Sequence, residues 1–200
     1  MLSKTIKEKV PGVYPFGQVG SRESAVWSRW ENVFYAYGGD WLNPEGTDIA
    51  DNFMEAAIKA FKWYQDMLPY CQPSVLEDND DDVLRQFGAG KIGFLQEHTS
   101  GWPQLQAWAT PEILKVSKWA YWPGPTSCGG WDIVIMRNTP NFEETWEFIK
   151  WITRPENMAI EMGEPPARKS AIPLSDFAKY PEPLVKQPLK STLATPWSCL

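Results

Sequence analysis

The sequence predicts an α/β fold class, because short apolar runs typical of strands alternate with stretches of helical periodicity. Residues 13–17 and 91–95 read as two strands, with helical patterns between them. A β-branched run at 131–136 predicts a further, buried strand, and a helical pattern follows it. The recurrence of strand and helix along the chain indicates the α/β class.

Three helices are predicted from the spacing of their apolar residues. Residues 21–37 have such spacing, with Ser21 as the N-cap and Gly38 after the last turn. Residues 51–68 carry one apolar stripe and end before a proline. A third helix is predicted at 142–153. The aromatic side chains expected in the core of these helices are Trp27, Trp30, Phe61 and Trp146.

An acidic run at 77–82 holds five carboxylates in six positions. A calcium-binding loop counted from Asp78 would need glycine at its sixth position and glutamate at its twelfth. The chain has Val83 and Ala89 at those positions. We therefore predict a solvated loop leading into a helix, whose N-terminus favours acidic side chains, and we predict no metal site.

Composition and charge exclude several classes of function. The 200 residues contain 19 basic and 25 acidic side chains, a net charge of −6, and the sequence has no basic stripe for nucleic acid. No apolar run approaches the roughly 18 residues of a membrane span, and residues 1–7 lack the apolar stretch of a signal peptide. The three cysteines are too few and too scattered for a disulfide framework or a zinc site.

The sequence does not show an arrangement of catalytic residues. His98 is the single histidine, and no nucleophile elbow or phosphate-binding glycine loop is present. A glycosidase would need two carboxylates on either side of one bond, and the sequence cannot place Asp40, Glu97 and Asp132 together. We therefore expect a protein without catalytic residues or cofactor. An enzyme acting on glycosides stays as an alternative.

Tryptophan is the residue type that points to a ligand. The chain has 12 tryptophans, and three of them, Trp41, Trp102 and Trp131, follow glycines at the ends of predicted elements. Glycine allows the backbone to approach a ligand closely, and the indole face suits the apolar face of a sugar ring. The pattern favours carbohydrate binding over catalysis.

Five segments, taken in order, resemble extracellular solute-binding protein family 1, the sugar-capturing components of bacterial ABC importers. The resemblance covers about residues 12–175. The segments are AYGGDWLN (36–43), FGAGKIGFLQEHTSGWPQL (87–105), PGP with GGWDIVI (123–135), EFIKWITRPE (147–156) and GEPPARKSA (163–171).

The resemblance implies a periplasmic binding protein-like fold of type II, with two α/β lobes that close on a sugar at a hinge. Residues 12–128 would form most of the second lobe. Residues 129–165 would be a crossover strand and helices of the first lobe, and 166–200 the return crossover and tail. The family further implies a sugar or oligosaccharide ligand, ABC permease subunits as partners, and a periplasmic or extracellular location.

The resemblance also implies six ligand-binding residues. Trp102 matches the aromatic residue that stacks on a sugar ring, and core packing is the alternative for it. Arg168 matches a polar cleft residue, with a surface or inter-lobe salt bridge as its alternative. The other four are Gly130 and Trp131 at the crossover between lobes, and Asp40 and Trp41 at the rim of the cleft.

Length is the main departure from the family, whose members are roughly twice as long and begin with a signal peptide and a first-lobe segment. We therefore expect a fragment that lacks most of the first lobe. The strand at 131–136 and the helix at 142–153 would then expose apolar surface, which is typical of an oligomer interface. A non-binding oligomeric fragment is thus a third reading, beside the sugar-binding protein and the enzyme.

Overall fold

The computed structural model describes residues 2–120, 122, 124–126, 132–160 and 166–179. The chain divides into two compact units, one containing the described residues up to 126 and the other those from 132 onwards. No helix in the described ranges is long and apolar enough to cross a membrane. The elements of the first unit are α1 (Leu2–Lys9), β1 (Tyr14–Gly17), α2 (Ser24–Ala36), α3 (Phe53–Met67), α4 (Asp80–Gly88), β2 (Ile92–Leu95), α5 (Gly101–Trp108) and α6 (Pro111–Val116).

The two strands of the first unit form a parallel pair, with Tyr14 opposite Ile92 and Phe16 opposite Phe94. Both strands lie where the sequence predicts them, and helices separate them along the chain. Because parallel strands run in the same direction, the residues that follow β1 and β2 emerge at one edge of the sheet. This carboxyl edge positions the candidate site described below.

The main core of the first unit lies between α2 and α3. Trp30, Val33 and Phe34 of α2 pack against three buried alanines of α3, and the rings of Trp30 and Phe34 stack with centroids 5.2 Å apart. Small side chains on α3 leave room for large rings on α2, because protein interiors are close-packed. The alanines are Ala56, Ala57 and Ala60.

Two aromatic residues predicted in this core lie outside it. Trp27 is 49% exposed and Phe61 is 60% exposed, whereas Trp30 is buried as predicted. The prediction took the aromatic positions of α3 for its core face, but the alanine face packs on α2. Phe61 instead covers the outer face of Trp30, with ring centroids 4.8 Å apart.

The loops before α2 and α4 differ in detail from the prediction. Helix α2 begins after Glu23, so Ser21 is not its N-cap; the Ser21 N–H donates to the Asp78 carbonyl at 3.2 Å. The acidic run does lead into a helix, and Asn79 and Asp82 form its capping box. Asp78 is buried rather than solvated. It accepts hydrogen bonds from Gln72, Ser74 and Gln86.

The described part of the chain has no cluster of three or more metal-ligating side chains. Helix α1, which the sequence analysis did not predict, is tied to the rest of the unit by Lys7. The Lys7 ammonium donates to the Pro69 carbonyl at 2.7 Å and lies over the ring of Tyr70. These contacts give a short, polar helix a fixed position.

The second unit contains α7 (Phe142–Ile152), α8 (Pro155–Ile160) and two short 3₁₀ turns, Ile172–Leu174 and Asp176–Lys179. Helix α7 confirms the predicted helix, but none of its residues is buried, and Trp146 is exposed rather than in a core. An amphipathic helix keeps its apolar face exposed when its neighbours leave that face uncovered, as the described residues of the second unit do here.

The predicted strand at 131–136 is wrong over its described residues. Residues 132–136 have no strand structure, and Val134 is 71% exposed. A strand needs a neighbour to receive its backbone hydrogen bonds, and no strand in the described residues pairs with this run. Residue 131 lies outside the described residues.

The packing of α2 on α3 predicts different costs for two phenylalanines. Phe34→Ala should lower the free energy of unfolding by about 3–5 kcal/mol, because Phe34 is fully buried and its loss leaves a cavity. Phe61→Ala should cost about 1 kcal/mol or less, since an exposed ring loses mainly its stacking on Trp30. Urea unfolding of both variants measures the difference, and equal costs would show that Phe61 is a core residue.

Candidate functional site

The carboxyl edge of the β1–β2 pair holds the candidate site. Ligands of open α/β sheets bind outside the carboxyl ends of the strands. Here Gln18 follows β1, and Gln96, Glu97 and His98 follow β2. A small cavity of about 10 Å³, enough for about one water molecule, lies at this edge. It is lined by Phe16, Gly17, Gln18, Val19, Arg29, Tyr64 and Gln96.

Arg29 of α2 is the central charged group of this edge, and it is only 4% exposed. Its guanidinium forms salt bridges with Asp80 and with Glu97, the latter at 2.7 Å. Its Nε donates to the Gln96 carbonyl at 2.9 Å, and its Nη1 donates to the Ser28 hydroxyl at 3.3 Å. A buried guanidinium needs such partners, because leaving its charge unpaired away from water costs several kcal/mol.

Two carboxylates share this single guanidinium, so the cluster has an excess of negative charge when both are ionised. Burial, aided by the negative charge of Asp80, raises the pKa of Glu97 to about 7, against the opposing effect of Arg29. Burial also raises the pKa of Asp80. Each carboxyl therefore holds its proton more tightly than it would in water.

Two polar atoms of this cluster are buried and have no hydrogen-bond partner in the described part of the chain. They are Oε2 of Glu97 and Nε2 of Gln96. The other carboxylate oxygen of Glu97, Oε1, accepts from Arg29 and from the His98 N–H at 2.6 Å. Unpaired buried polar atoms are uncommon and are concentrated at functional or strained positions.

His98 lies beside the same cluster, with its Nε2 3.2 Å from the Ser28 hydroxyl oxygen. The Ser28 hydroxyl donates its proton to the Ala25 carbonyl at 3.0 Å, so it accepts from a His98 ring protonated at Nε2. Desolvation and the positive charge of Arg29 lower the pKa of His98 to about 4. The ring is therefore neutral near pH 7 and acts as a hydrogen-bonding group rather than a charge.

Trp102 is the second residue of α5 and is half-buried. Its ring meets the ring of Trp119 edge-on, with centroids 6.0 Å apart and planes at 75°. The preceding residue, Gly101, lies directly on Glu97. A Cβ at position 101 would come within 2.3 Å of the Glu97 Cγ. Glycine at this position therefore allows the Glu97 side chain to fold against the start of the helix that carries Trp102.

Trp41 belongs to a different group of rings, the aromatic cluster around α2 and α3. It packs against Trp30 and Phe34, and its Nε1 donates to the buried carboxylate of Glu31 at 2.6 Å. The neighbouring carboxylate of Asp40 accepts from the Trp41 backbone N–H at 2.8 Å. The indole of Trp41 is thus held at the border of the core.

Trp27 adds an exposed ring to this aromatic cluster, with its centroid 6.1 Å from that of Trp41. Sequence reasoning assigned Trp27 to the core and missed this surface. Glu31 also accepts from the Tyr35 hydroxyl, and burial together with Glu31 raises the pKa of Tyr35.

The other predicted site residues lie elsewhere in the chain. Gly130 and Trp131 lie outside the described residues. Arg168 belongs to the second unit, where it is exposed and its carbonyl accepts from the Ala171 N–H at 2.8 Å. Within the first unit, Trp102 contacts Trp119 and Trp41 contacts the α2–α3 rings, so the two predicted tryptophans lie in separate ring clusters.

Sequence reasoning did not single out Arg29 or Gln96. The sequence did contain a sign of a special role for Arg29. This charged residue directly precedes Trp30, a core residue of the predicted helix. Such a residue must either reach solvent or find buried partners. The partners, Asp80 and Glu97, are 51 and 68 residues further along the chain, so the sequence could not identify them.

The raised pKa of Glu97 predicts a pH-dependent effect of Glu97→Gln. The fold favours the neutral carboxyl, so the Glu97 contribution to stability is greatest below about pH 4.5 and declines as the pH rises through about 7. The melting temperature of Glu97→Gln, relative to that of the unaltered protein, should therefore increase between about pH 5 and about pH 8. Thermal unfolding across this range measures the trend.

Glu112→Gln serves as the matched control, since Glu112 is an exposed residue of α6. Its difference in melting temperature from the unaltered protein should stay constant over the same range. A relative melting temperature of Glu97→Gln that falls with rising pH would contradict the raised pKa.

Comparison with known proteins agrees with this fold. Residues 2–185 match the family model for bacterial extracellular solute-binding proteins. The chain is also similar to the crystal structure of an ABC transporter solute-binding protein from Thermotoga lettingae TMO bound with alpha-D-tagatose, with a TM-score of 0.65 and 23% sequence identity. No curated protein sequence matches the chain.

The structural match covers 84% of this chain and 45% of the Thermotoga chain, so the protein spans less than half the length of that neighbour. At this identity the likeness concerns the fold, and it confirms the predicted α/β, periplasmic binding protein-like class. The family comprises binding proteins, which favours the binding interpretation over the glycoside-active enzyme. Since the family match spans nearly the whole described chain, this protein belongs to the bacterial extracellular solute-binding proteins.

Proposed function

We propose that the protein binds a carbohydrate as the solute-recognition component of a bacterial ABC importer. The observation that carries the proposal is the position of Trp102, a half-buried residue that directly follows Gly101, which lies against Glu97 of the Arg29 cluster at the carboxyl edge of the sheet. Family membership supports solute binding. The tagatose bound to the Thermotoga neighbour supports a sugar as the solute.

The chemistry of this edge suits a sugar. A pyranose or furanose has a face of C–H groups and a rim of hydroxyls. The Trp102 ring offers an apolar surface for the face, and the polar residues that follow β2 offer donors and acceptors for the rim. Trp27 offers a second indole face on the same unit, and this one is exposed.

The other residues that the sequence predicts as ligand contacts would also take part in binding the sugar. Asp40 and Trp41 would lie at the rim of the cleft, with the Trp41 indole held by Glu31. In the second unit, Arg168 is exposed and available for a hydroxyl or a carboxylate. Gly130 and Trp131 would contribute at the crossover between lobes.

The chain would supply parts of both lobes of such a binding protein. Residues 12–128 would form most of the second lobe, 129–165 the crossover part of the first lobe, and 166–200 the return crossover and tail. The partners would be a sugar or oligosaccharide and the permease subunits of the importer. The location would be periplasmic or extracellular, as the family description supports.

The protein would also self-associate through exposed apolar residues of the second unit. Helix α7 exposes four aromatic side chains, and two of them, Phe148 and Trp151, have ring centroids 6.0 Å apart. Exposed apolar surface of this kind favours association. Light scattering over a wide concentration range tests it, and a strictly monomeric protein would remove this part. The four side chains are Phe142, Trp146, Phe148 and Trp151.

Isothermal titration calorimetry of the 200-residue chain tests the main proposal. The panel contains tagatose and other ketohexoses, aldohexoses, disaccharides and, as non-sugar controls, an amino acid and a dicarboxylate. Saturable binding of one sugar class and no binding of the controls is the expected result. Binding of a control solute alone, or of nothing in the panel, would contradict carbohydrate recognition.

Trp102→Ala should weaken the affinity for the bound sugar by about 1–3 kcal/mol, a factor of roughly 5 to 150, because a stacked indole is a typical binding hot spot. Trp108→Ala is the matched control on the same helix, since that ring packs under the Arg85 guanidinium at 3.7 Å. It should leave the affinity unchanged. Equal losses in both variants would show a general effect on α5 rather than stacking at position 102.

A further inference from the structure

We propose that Glu97 is the positioning residue for Trp102, and that the protonation state of its carboxyl sets how the indole is presented to a ligand. The role of the indole in ligand binding rests on the function proposed above. The positioning itself rests on contacts within the first unit and can be measured without any sugar.

The first observation is the contact between Glu97 and the start of α5. A Cβ on Gly101 would lie 2.3 Å from Cγ, 2.8 Å from Cδ and 3.2 Å from Oε1 of Glu97. The side chain therefore lies flat against the residue that immediately precedes Trp102. The Gly101 N–H donates to the His98 carbonyl at 3.1 Å, and the Trp102 N–H donates to the Thr99 carbonyl at 3.3 Å. A movement of the Glu97 side chain would therefore move the first residues of α5.

The second observation is that Glu97 is held on one side only. Its Oε1 accepts from Arg29 at 2.7 Å and from the His98 N–H at 2.6 Å. Its Oε2 has no hydrogen-bond partner among the described residues, although the side chain is only 6% exposed. An ionised carboxylate with one unsatisfied, buried oxygen loses hydration without replacement. The ionised form therefore has a larger desolvation cost than the neutral form, and the bond to Arg29 offsets part of that cost.

The third observation is the charge balance around Glu97. From α2 it is faced by the Arg29 guanidinium, and from its own turn by the His98 N–H. The Ser28 hydroxyl contacts Arg29 and the His98 ring. From α4, Glu97 is faced by Asp80, which shares Arg29 and has Asp81 as its negatively charged neighbour.

The backbone N–H of Asp80 donates in turn to the carboxylate of Glu23 at 2.8 Å. The Arg29 guanidinium is therefore paired with two carboxylates, and the Glu23 carboxylate adds negative charge near one of them. Uptake of a proton by Glu97 leaves Arg29 paired with Asp80 and weakens the bond that holds Glu97.

These contacts connect protonation to the ring. When Glu97 is ionised, the Arg29 bond fixes its side chain against Gly101, and α5 starts at a defined position. When Glu97 is neutral, that bond loses its charge assistance, and the side chain can turn to satisfy its second oxygen. Because the side chain lies against Gly101, the turn changes the packing of Trp102 on Trp119. The pKa of about 7 for Glu97 places this change in the neutral range.

Fluorine NMR of the full chain labelled with 5-fluorotryptophan tests the proposal. Trp102→Phe identifies the resonance of position 102. We expect that resonance to move between about pH 5 and about pH 9, with a midpoint near the pKa of Glu97. We also expect its H₂O-to-D₂O isotope shift, which reports the exposure of the ring, to differ below and above the midpoint. A shift without a change of exposure would contradict positioning.

Three variants sharpen the test. Glu97→Gln should abolish the pH step at position 102, and the exposed Glu112→Gln should leave it unchanged. Asp80→Asn should move the midpoint to lower pH, because the negative charge of Asp80 raises the pKa of Glu97. A pH step that persists in Glu97→Gln would overturn the proposal. Should that variant not fold, an unchanged midpoint in Asp80→Asn would overturn it instead.

Gly101→Ala tests the contact itself. The added methyl should displace the Glu97 side chain and shift the resonance of position 102 on both sides of the midpoint. An unaltered resonance would contradict the contact. All these fluorine NMR spectra are recorded without sugar. A pH step together with no sugar binding would contradict only the proposed function, and sugar binding without the step would contradict only the positioning role.

Discussion

The constraint on which the first unit depends is the burial of one arginine at the carboxyl edge of a parallel strand pair. Arg29 can lie there only because α4 supplies Asp80 and the exit of β2 supplies Glu97 and a carbonyl oxygen. Removing one partner from a buried ion pair typically costs about 3–5 kcal/mol. The same bonds thus join α2, α4 and the segment leading to α5, and they bring the polar groups of the site together.

A second constraint, the matching of large and small side chains between α2 and α3, decides which rings are free. Alanines on α3 receive Trp30 and Phe34, and this packing directs Trp27 to the surface. Glu31, buried in the same region, holds the indole N–H of Trp41. The aromatic surface of the unit follows from core packing and from one buried acceptor rather than from the number of tryptophans.

The sequence predicts well those features that depend on neighbours along the chain. Local periodicity predicts both strands and the helices α2, α3 and α7, and the acidic run predicts the helix that it leads into. The sequence-based prediction fails where the partner is distant. Phe61 and Trp27 fit a core pattern, but which face of a helix is buried depends on the element that packs on it.

The apolar run at 132–136 is another case in which the partner decides the structure. It has β-strand propensity, but no strand lies beside it among the described residues, and it forms no strand. Of the residues around the candidate site, the sequence singled out Trp102, and its role in ligand binding stays a prediction. Arg29 was missed because its partners are far along the chain, and the role of Gly101 depends on the side chain of Glu97 folding back.

The central claim is that the carboxyl edge of the strand pair, from Gln96 to Trp102 together with Arg29, is the face that meets a sugar. Chemical-shift mapping of the ¹⁵N-labelled chain, titrated with the tightest-binding sugar of the calorimetric panel, tests it most directly. The account predicts that the largest shifts fall on residues 96–102 and on the Arg29 side-chain Nε–H, with small shifts on α1, whose Lys7 contacts Pro69 and Tyr70. Largest shifts on α1, or none at residues 96–102, would contradict it.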